Sequence, residues 1–313
     1  MAEHKEVYQG PILDCHMHFW NLQINLHPWL NGGMDVPFRY GNYDKIKKNF
    51  LPDDYRKLSR HHNVVGTVYM EAEWDPNDPI GETQYITRLA HDEGLPNAVI
   101  AQAWLDKPDV AETLSRQSEF NLVRSVRHKP GGPRDVREAG GKNRTLMSNE
   151  TWRRGYSLLS KFGLHFDLQT PWWNLWEAKC LAEDFPETII IINHAGLPSD
   201  RSHEGVASWH NAMKSLVECP NIFVKISGLG QYGKPWTVES NHWIIEEIIS
   251  MFGSERAMFA SNFPVDSLCG SFDDIFNGFK KIASAYSAED NQRLFYGNAE
   301  RIYRPKFAKN MSV

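Results

Sequence analysis

Two histidines one residue apart close a short apolar run near the start of the chain, in ILDCHMHFW at residues 12–20. Imidazoles spaced in this way can share a divalent ion or meet a polarised carbonyl, provided the backbone turns both to one side. The chain has 13 histidines in 313 residues. At that frequency such a pair arises by chance about once in every two chains, so the setting must carry the argument. Read as a strand, the run alternates, with Asp14, His16 and His18 on one face and Leu13, Cys15 and Met17 on the other.

Other runs end in similar fashion. GLHFDLQT gives one face to His165, Asp167 and Gln169; TIIIINHAGLP ends at His194; RAMFASNFPVD runs out near Asn262, with Asp266 just beyond. Polar side chains on an inward strand face need a partner or a task. YMEAEWDP ends with Glu71 and Glu73, which could bind sugar hydroxyls or be solvated loop acids. In FVKISG, Lys225 shares a face with Ser227; it could stabilise negative charge at a reacting carbonyl or pair with Asp266. His165 is an additional candidate metal ligand, unless Asp167 simply holds it by a hydrogen bond.

These residues must be positioned by a repeating frame. Eight β-rich runs, from PILDCHMHF to RAMFASNF, alternate with helical segments such as IGETQYITRLAHDEG and NLWEAKCLAEDFP. That alternation marks βαβ units and a parallel sheet, and eight strands in sequence favour a closed barrel, hence an α/β fold. In HNAMKSLVECP, Met213, Leu216 and Val217 fall on one helical stripe. No Gly- or Pro-rich linker divides the chain, so residues 1–313 read as a single domain. Two long loops, about residues 20–50 and 128–144, follow the first and fourth strands. Loops after strands lie on the active face of an α/β barrel, so both are expected to wall a substrate pocket. The loop tryptophans Trp20, Trp29, Trp172 and Trp173 could stack on a sugar ring or fill loop cores.

Composition narrows the partner. At 41% apolar and 23% charged residues, the chain can bury a substantial core. A net charge of -5 without a long Lys/Arg run gives no footprint for nucleic acid or an anionic membrane, which leaves a small molecule. The four cysteines, far apart and without a CxxC pair, read as buried thiols in a reducing compartment. The N-terminus lacks the apolar run of a signal peptide, and TIIII at 188–192 is too short for a bilayer, so a cytoplasmic protein is expected. A homo-oligomer is left open.

DCHMHFW, FDLQTPWW, INHAGLP, VKISGL and SNFPVD, in that order, resemble the amidohydrolase-2 group of the amidohydrolase superfamily, and within it the sugar-lactone and pyrone-dicarboxylate lactonases. The resemblance runs from about residue 11 to about residue 304. It implies a distorted (β/α)8 TIM barrel and hydrolysis of a small molecule. Matched by motif, Asp266 would be the general base for the attacking water. His16, His18 and His194 would polarise the scissile carbonyl, directly or through a metal held by His16, His18, His194 and Asp266. The carboxylated lysine of binuclear members has no clear match, since Lys129 enters a Gly-Pro loop, so the resemblance leaves one zinc or none. Related lactonases use arginines near the fourth strand to hold substrate. Arg124 and Arg127 fall on opposite faces, which selects Arg127, with His128, for this task. Gln169, Trp172 and Lys225 complete the expected substrate contacts.

The expected activity is therefore that of a lactonase in carbohydrate metabolism, opening a sugar-acid or related carboxylate lactone. A metal-dependent decarboxylase of the same family competes with it, although those relatives usually carry Glu-x-His where this chain has His16-x-His18. A non-catalytic small-molecule-binding barrel is the alternative of another class.

Overall fold

The computed structural model describes residues 7–34, 36–140 and 142–307. Each of the two expected loops thus contains one residue, 35 or 141, outside the described set. Runs rich in Val, Ile and aromatic residues form eight strands, since branched side chains pack well on a pleated surface buried on both faces. They are β1 (Ile12–Met17), β2 (Val64–Met70), β3 (Ala98–Gln102), β4 (Val123–Arg127), β5 (His165–Leu168), β6 (Ile190–Ile192), β7 (Ile222–Ile226) and β8 (Ala257–Phe259). The sheet order is β1 to β8 in sequence, and every neighbouring pair is parallel. The ring is drawn together where the chain beyond β8 meets β1: the Asn262 N–H donates to the His16 carbonyl and the His18 N–H to the Phe263 carbonyl, both at 2.8 Å. The architecture is a single (β/α)8 barrel.

Helices alternate with the strands: α1 (Pro52–Ser59), α2 (Pro79–Glu93), α3 (Val110–Glu119), α4 (Glu150–Tyr156), α5 (Leu175–Asp184), α6 (His203–Ser215), α7 (Val238–Phe252) and α8 (Phe272–Ala283), followed by the short α9 (Ala288–Gln292) and α10 (Asn298–Tyr303). In α6 the apolar stripe holds for Met213 and for Leu216 just past its end, both fully buried, while Val217 is half-buried beyond the helix. The lower lumen is apolar, packed by Leu13, Cys15, Val68, Met70, Ile191 and Met258, and α10 adds Ile302 and Tyr303 to this cluster. Cys15, Cys219 and Cys269 are buried free thiols, but Cys180 is exposed on α5, contrary to the expectation that all four are buried. No helix among the described residues is long and apolar enough to cross a membrane.

Simple alternation fails on β1, and the failure is informative. Leu13 and Cys15 face the lumen, whereas the Asp14 carboxylate turns toward α1, where it accepts from the Tyr55 hydroxyl at 2.7 Å. The pairing register then slips: three steps along β1, from Asp14 to Met17, match two along β2, from Thr67 to Tyr69. One extra residue resets the pleat in the manner of a β-bulge. As a result His16 and His18 reach the same lumen as Cys15, while Met17 joins the outer core.

Candidate active site

Above the apolar floor lies a layer of polar groups. The His16 ring is 4.5 Å from that of His194 and 5.4 Å from that of His18, centre to centre. All three rings are buried, and burial holds each well below the usual imidazole range, His18 at about 3. Nearby charge acts in the same direction: His194 and Lys225 on His16, Arg127 on His18, Arg39 on His194. The cluster is therefore neutral in ordinary buffers. His18 Nδ1 is 2.9 Å from the Met70 carbonyl, which can only accept, so Nδ1 carries the proton and Nε2 a lone pair. His194 Nδ1 meets the Ser227 hydroxyl at 2.9 Å. Neither nitrogen of His16 has a partner among the described residues, although the ring is fully buried.

Asp266 sits just after β8 and is almost fully buried. Its Oδ1 accepts from the Tyr40 hydroxyl at 3.0 Å and from Asn262 Nδ2 at 2.6 Å, with Arg39 Nη2 4.0 Å away. Burial raises its carboxyl to about 6, against the opposing pull of Arg39, Asn262 and Tyr40. Such a carboxylate is largely ionised at neutrality and still basic enough to take a proton. The backbone at this rim is strained: Glu73, His194 and Asn262 adopt φ of 54°, 55° and 55°. A left-handed conformation costs a non-glycine residue about 1–2 kcal/mol and is held only where the surroundings enforce it.

A cavity of about 790 Å³ opens over this layer. Both long loops wall it, the first through Trp29 and the segment 36–39, the second through Lys129 and the segment 131–134. His18, His194, Arg127, Gln169 and Asn262 line it, as expected from their strand ends, while His16 and Asp266 lie just behind its surface. Arg127 is tied down: its Nε donates to Glu71, its Nη2 to the Glu71 carbonyl at 2.6 Å and its Nη1 to Gln169 Oε1 at 2.9 Å. Lys129 pairs with Glu73 at 2.5 Å on the same wall.

Four expected contacts are placed elsewhere. His128 turns outward, its Nδ1 approached by the Leu105 N–H at 3.1 Å and Trp152 Nε1 at 3.0 Å, so it serves the packing behind β4 and not the cavity. Trp173, not Trp172, faces the cavity, its indole fixed by a 3.0 Å hydrogen bond to the Pro133 carbonyl. Lys225 is fully buried below the pocket and pairs with Asp167 at 2.7 Å, not with Asp266. His165 lies at the opposite end of β5, beside the Ile302 backbone at the barrel floor, so it cannot join a rim cluster. Arg39, Tyr40, Arg134 and Arg201 were not singled out by the sequence; Arg39 and Tyr40 stand in a loop where no periodicity assigns a side chain a direction.

The expected metal ligands do not form a ligand sphere. Among the described residues no three His, Cys, Asp or Glu side chains converge to hold a cation. The physical reason is visible at Asp266, whose oxygen is already engaged by Tyr40 and Asn262 and faces the Arg39 cation.

Residues 13–304 match the sequence profile described as amidohydrolase. The chain is 39% identical over 295 residues to the uncharacterised protein y4mH of Sinorhizobium fredii, covering 94% of this chain and 98% of that one. It is 25% identical over 302 residues to an L-fucono-1,5-lactonase of Burkholderia multivorans, covering 93% and 95%. A zinc-bound amidohydrolase structure from Burkholderia multivorans superposes with a TM-score of 0.75 at 23% identity, covering 95% of this chain and all of the other.

Proposed function

Because the chain belongs to the amidohydrolase family, we propose that it is a lactonase, in which water activated by Asp266 opens the ring of a sugar-acid or related small lactone. The observation that carries this reading is one buried carboxylate, Asp266, and three clustered imidazoles under a walled cavity, with burial raising the carboxyl to about 6. The full-length likeness to a lactonase supports the choice of ester over other hydrolysable groups.

The chain's own residues divide the work. The lactone carbonyl lies against His194, which meets the Ser227 hydroxyl through Nδ1; in the tautomer in which Ser227 donates, an Nε2–H meets the carbonyl oxygen as charge develops. With Nδ1 of His18 donating to the Met70 carbonyl, its Nε2, beside Asn262, accepts a hydrogen bond from the attacking water and orients it. Asp266 removes the water's proton as the C–O bond forms. The tetrahedral intermediate then collapses, the ring C–O bond breaks, and the proton held by Asp266 passes to the leaving alkoxide. A zinc ion, where bound, would supply Lewis acidity at the carbonyl.

The test is proton release from a panel of sugar-acid, aromatic and pyrone lactones, before and after chelation, with metal measured on the same sample. Asp266→Asn is expected to lower turnover about 1,000-fold or more with an unchanged melting temperature. An unimpaired variant, or release of carbon dioxide from aromatic acids without lactone turnover, would sink the proposal. Activity that survives removal of all metal would assign the histidines as direct hydrogen-bonding groups.

A further inference from the structure

Charge around the cavity is unbalanced. Among the described residues, its wall carries Arg39, Arg127, Lys129, Arg134 and Arg201 but a single carboxylate, Glu73. Arg127 is satisfied by Glu71 and Gln169, and Lys129 by Glu73. Arg201 donates from its two terminal nitrogens to the Ser240 and Leu229 carbonyls, facing α7, and only its buried Nε lacks a partner among the described residues. Arg39 is different. Its guanidinium lies over the Tyr40 ring, 4.5 Å from the ring centre, and reaches only to 4.0 Å from Asp266. Its side chain is 27% exposed and donates no hydrogen bond among the described residues. Its five N–H donors thus stand at the cavity wall beside the reacting groups with no hydrogen-bond acceptor among the described residues.

The backbone makes room for this placement. At Gly228, φ is +61°, and an added Cβ would lie 2.5 Å from His194 Nδ1 and 2.6 Å from Arg39 Nη2. Only a glycine lets the guanidinium and the imidazole approach the same segment. Arg39 is therefore wedged against the centre and not waving from a loop.

We propose that Arg39 is a carboxylate-binding, specificity-determining residue, and that the substrate is a lactone carrying a free carboxylate close to the scissile ester. This inference rests on the lactonase reading. A guanidinium receives a carboxylate through two parallel hydrogen bonds, whereas a neutral sugar lactone would leave those donors to water. A transient oxyanion supplies one negative charge only in the transition state. The excess of cations, with Arg134 unpaired by any acid among the described residues and Arg39 facing only the Asp266 carboxylate at 4.0 Å, suits a substrate that arrives already anionic.

The experiment compares matched lactones that differ by one carboxylate, gluconolactone and glucarolactone together with their ring stereoisomers, on the wild type, Arg39→Gln and Arg39→Lys. The wild type is expected to favour the acidic member by about tenfold or more in kcat/KM. Arg39→Gln should lower kcat/KM for the acidic lactone about 100-fold, mainly through KM, and by at least 30-fold more than for the neutral one. Arg39→Lys should restore part of the loss, and melting temperatures should agree. Equal losses on both lactones, carried in kcat, would make Arg39 an oxyanion contact and overturn the proposal while leaving the lactonase reading intact. If no lactone is opened, the lactonase reading fails and titration calorimetry decides Arg39 separately. Glucarate binding that is tighter than gluconate binding and lost in Arg39→Gln upholds the carboxylate site; equal glucarate binding to wild type and variant removes it.

Discussion

Asp266 and the imidazoles divide the pH behaviour between them. Burial lifts Asp266 to about 6 and pushes His18 down to about 3, with His16 and His194 also well below the usual range. A general base works only when deprotonated. kcat/KM is therefore expected to fall about tenfold per unit below pH 6 and to level off above it, with no second limb from the histidines between pH 5 and 8. A rate profile that instead climbs through the ordinary histidine range would place the base on an imidazole. The tautomer of His194 is a separate lever. Removing the Ser227 hydroxyl, which meets Nδ1 at 2.9 Å, frees the ring to protonate on either nitrogen. Ser227→Ala is expected to reduce kcat about tenfold with little change in KM, because the lost contact is one that tightens as the oxyanion forms. Steady-state kinetics on a lactone substrate distinguish this from a binding defect.

At the level of the element, the β1 bulge aims His16 and His18, and Asp14 pins it. Its carboxylate accepts from Tyr55 of α1 and from the Ser261 N–H and hydroxyl, at 2.7, 2.8 and 2.5 Å, and so ties β1 to both α1 and the chain leaving β8. Asp14→Ala strands two or more buried donors, each costing about 1–3 kcal/mol, so a loss of about 3 kcal/mol is expected in chemical denaturation. A loss under about 1 kcal/mol would mean that the register does not depend on this carboxylate. The same bulge explains what the sequence could and could not say. All eight strands are readable because their Val/Ile-rich runs are buried on both faces, and the inward set His165, Asp167 and Lys225 follows from strict alternation on β5 and β7. On β1 alternation groups Asp14 with the two histidines, and only the slipped register separates them. His128 and Trp172 went astray for a related reason: each lies just past a strand end, where the pleat no longer dictates direction. Arg39 has no regular element to be read from, and its position depends on contacts with Tyr40 and Asp266 from distant parts of the chain.

Across the whole molecule, the lumen is stratified, and the middle stratum couples the floor to the site. Asp167 of β5 accepts from Lys225 of β7 at 2.7 Å, from Asn193 Nδ2 at 2.9 Å, and from the Tyr303 hydroxyl of α10 at 3.1 Å to each oxygen. Lys225 also lies 4.7 Å from the centre of the Tyr303 ring, and every member of the group is fully buried. This network joins three strand ends to the helix that closes the barrel, and its lysine helps keep His16 above it uncharged. A buried ion pair stabilises little relative to a well-packed apolar substitute, but removing one partner abandons the other charge. Lys225→Met is accordingly expected to destabilise the barrel by about 3–5 kcal/mol. Adding Asp167→Asn to that variant removes the abandoned charge while keeping acceptors for Tyr303, so the double variant should be more stable than Lys225→Met alone. Their denaturation free energies should depart from additivity by at least about 1 kcal/mol, whereas additive losses would show that the two charges are not coupled.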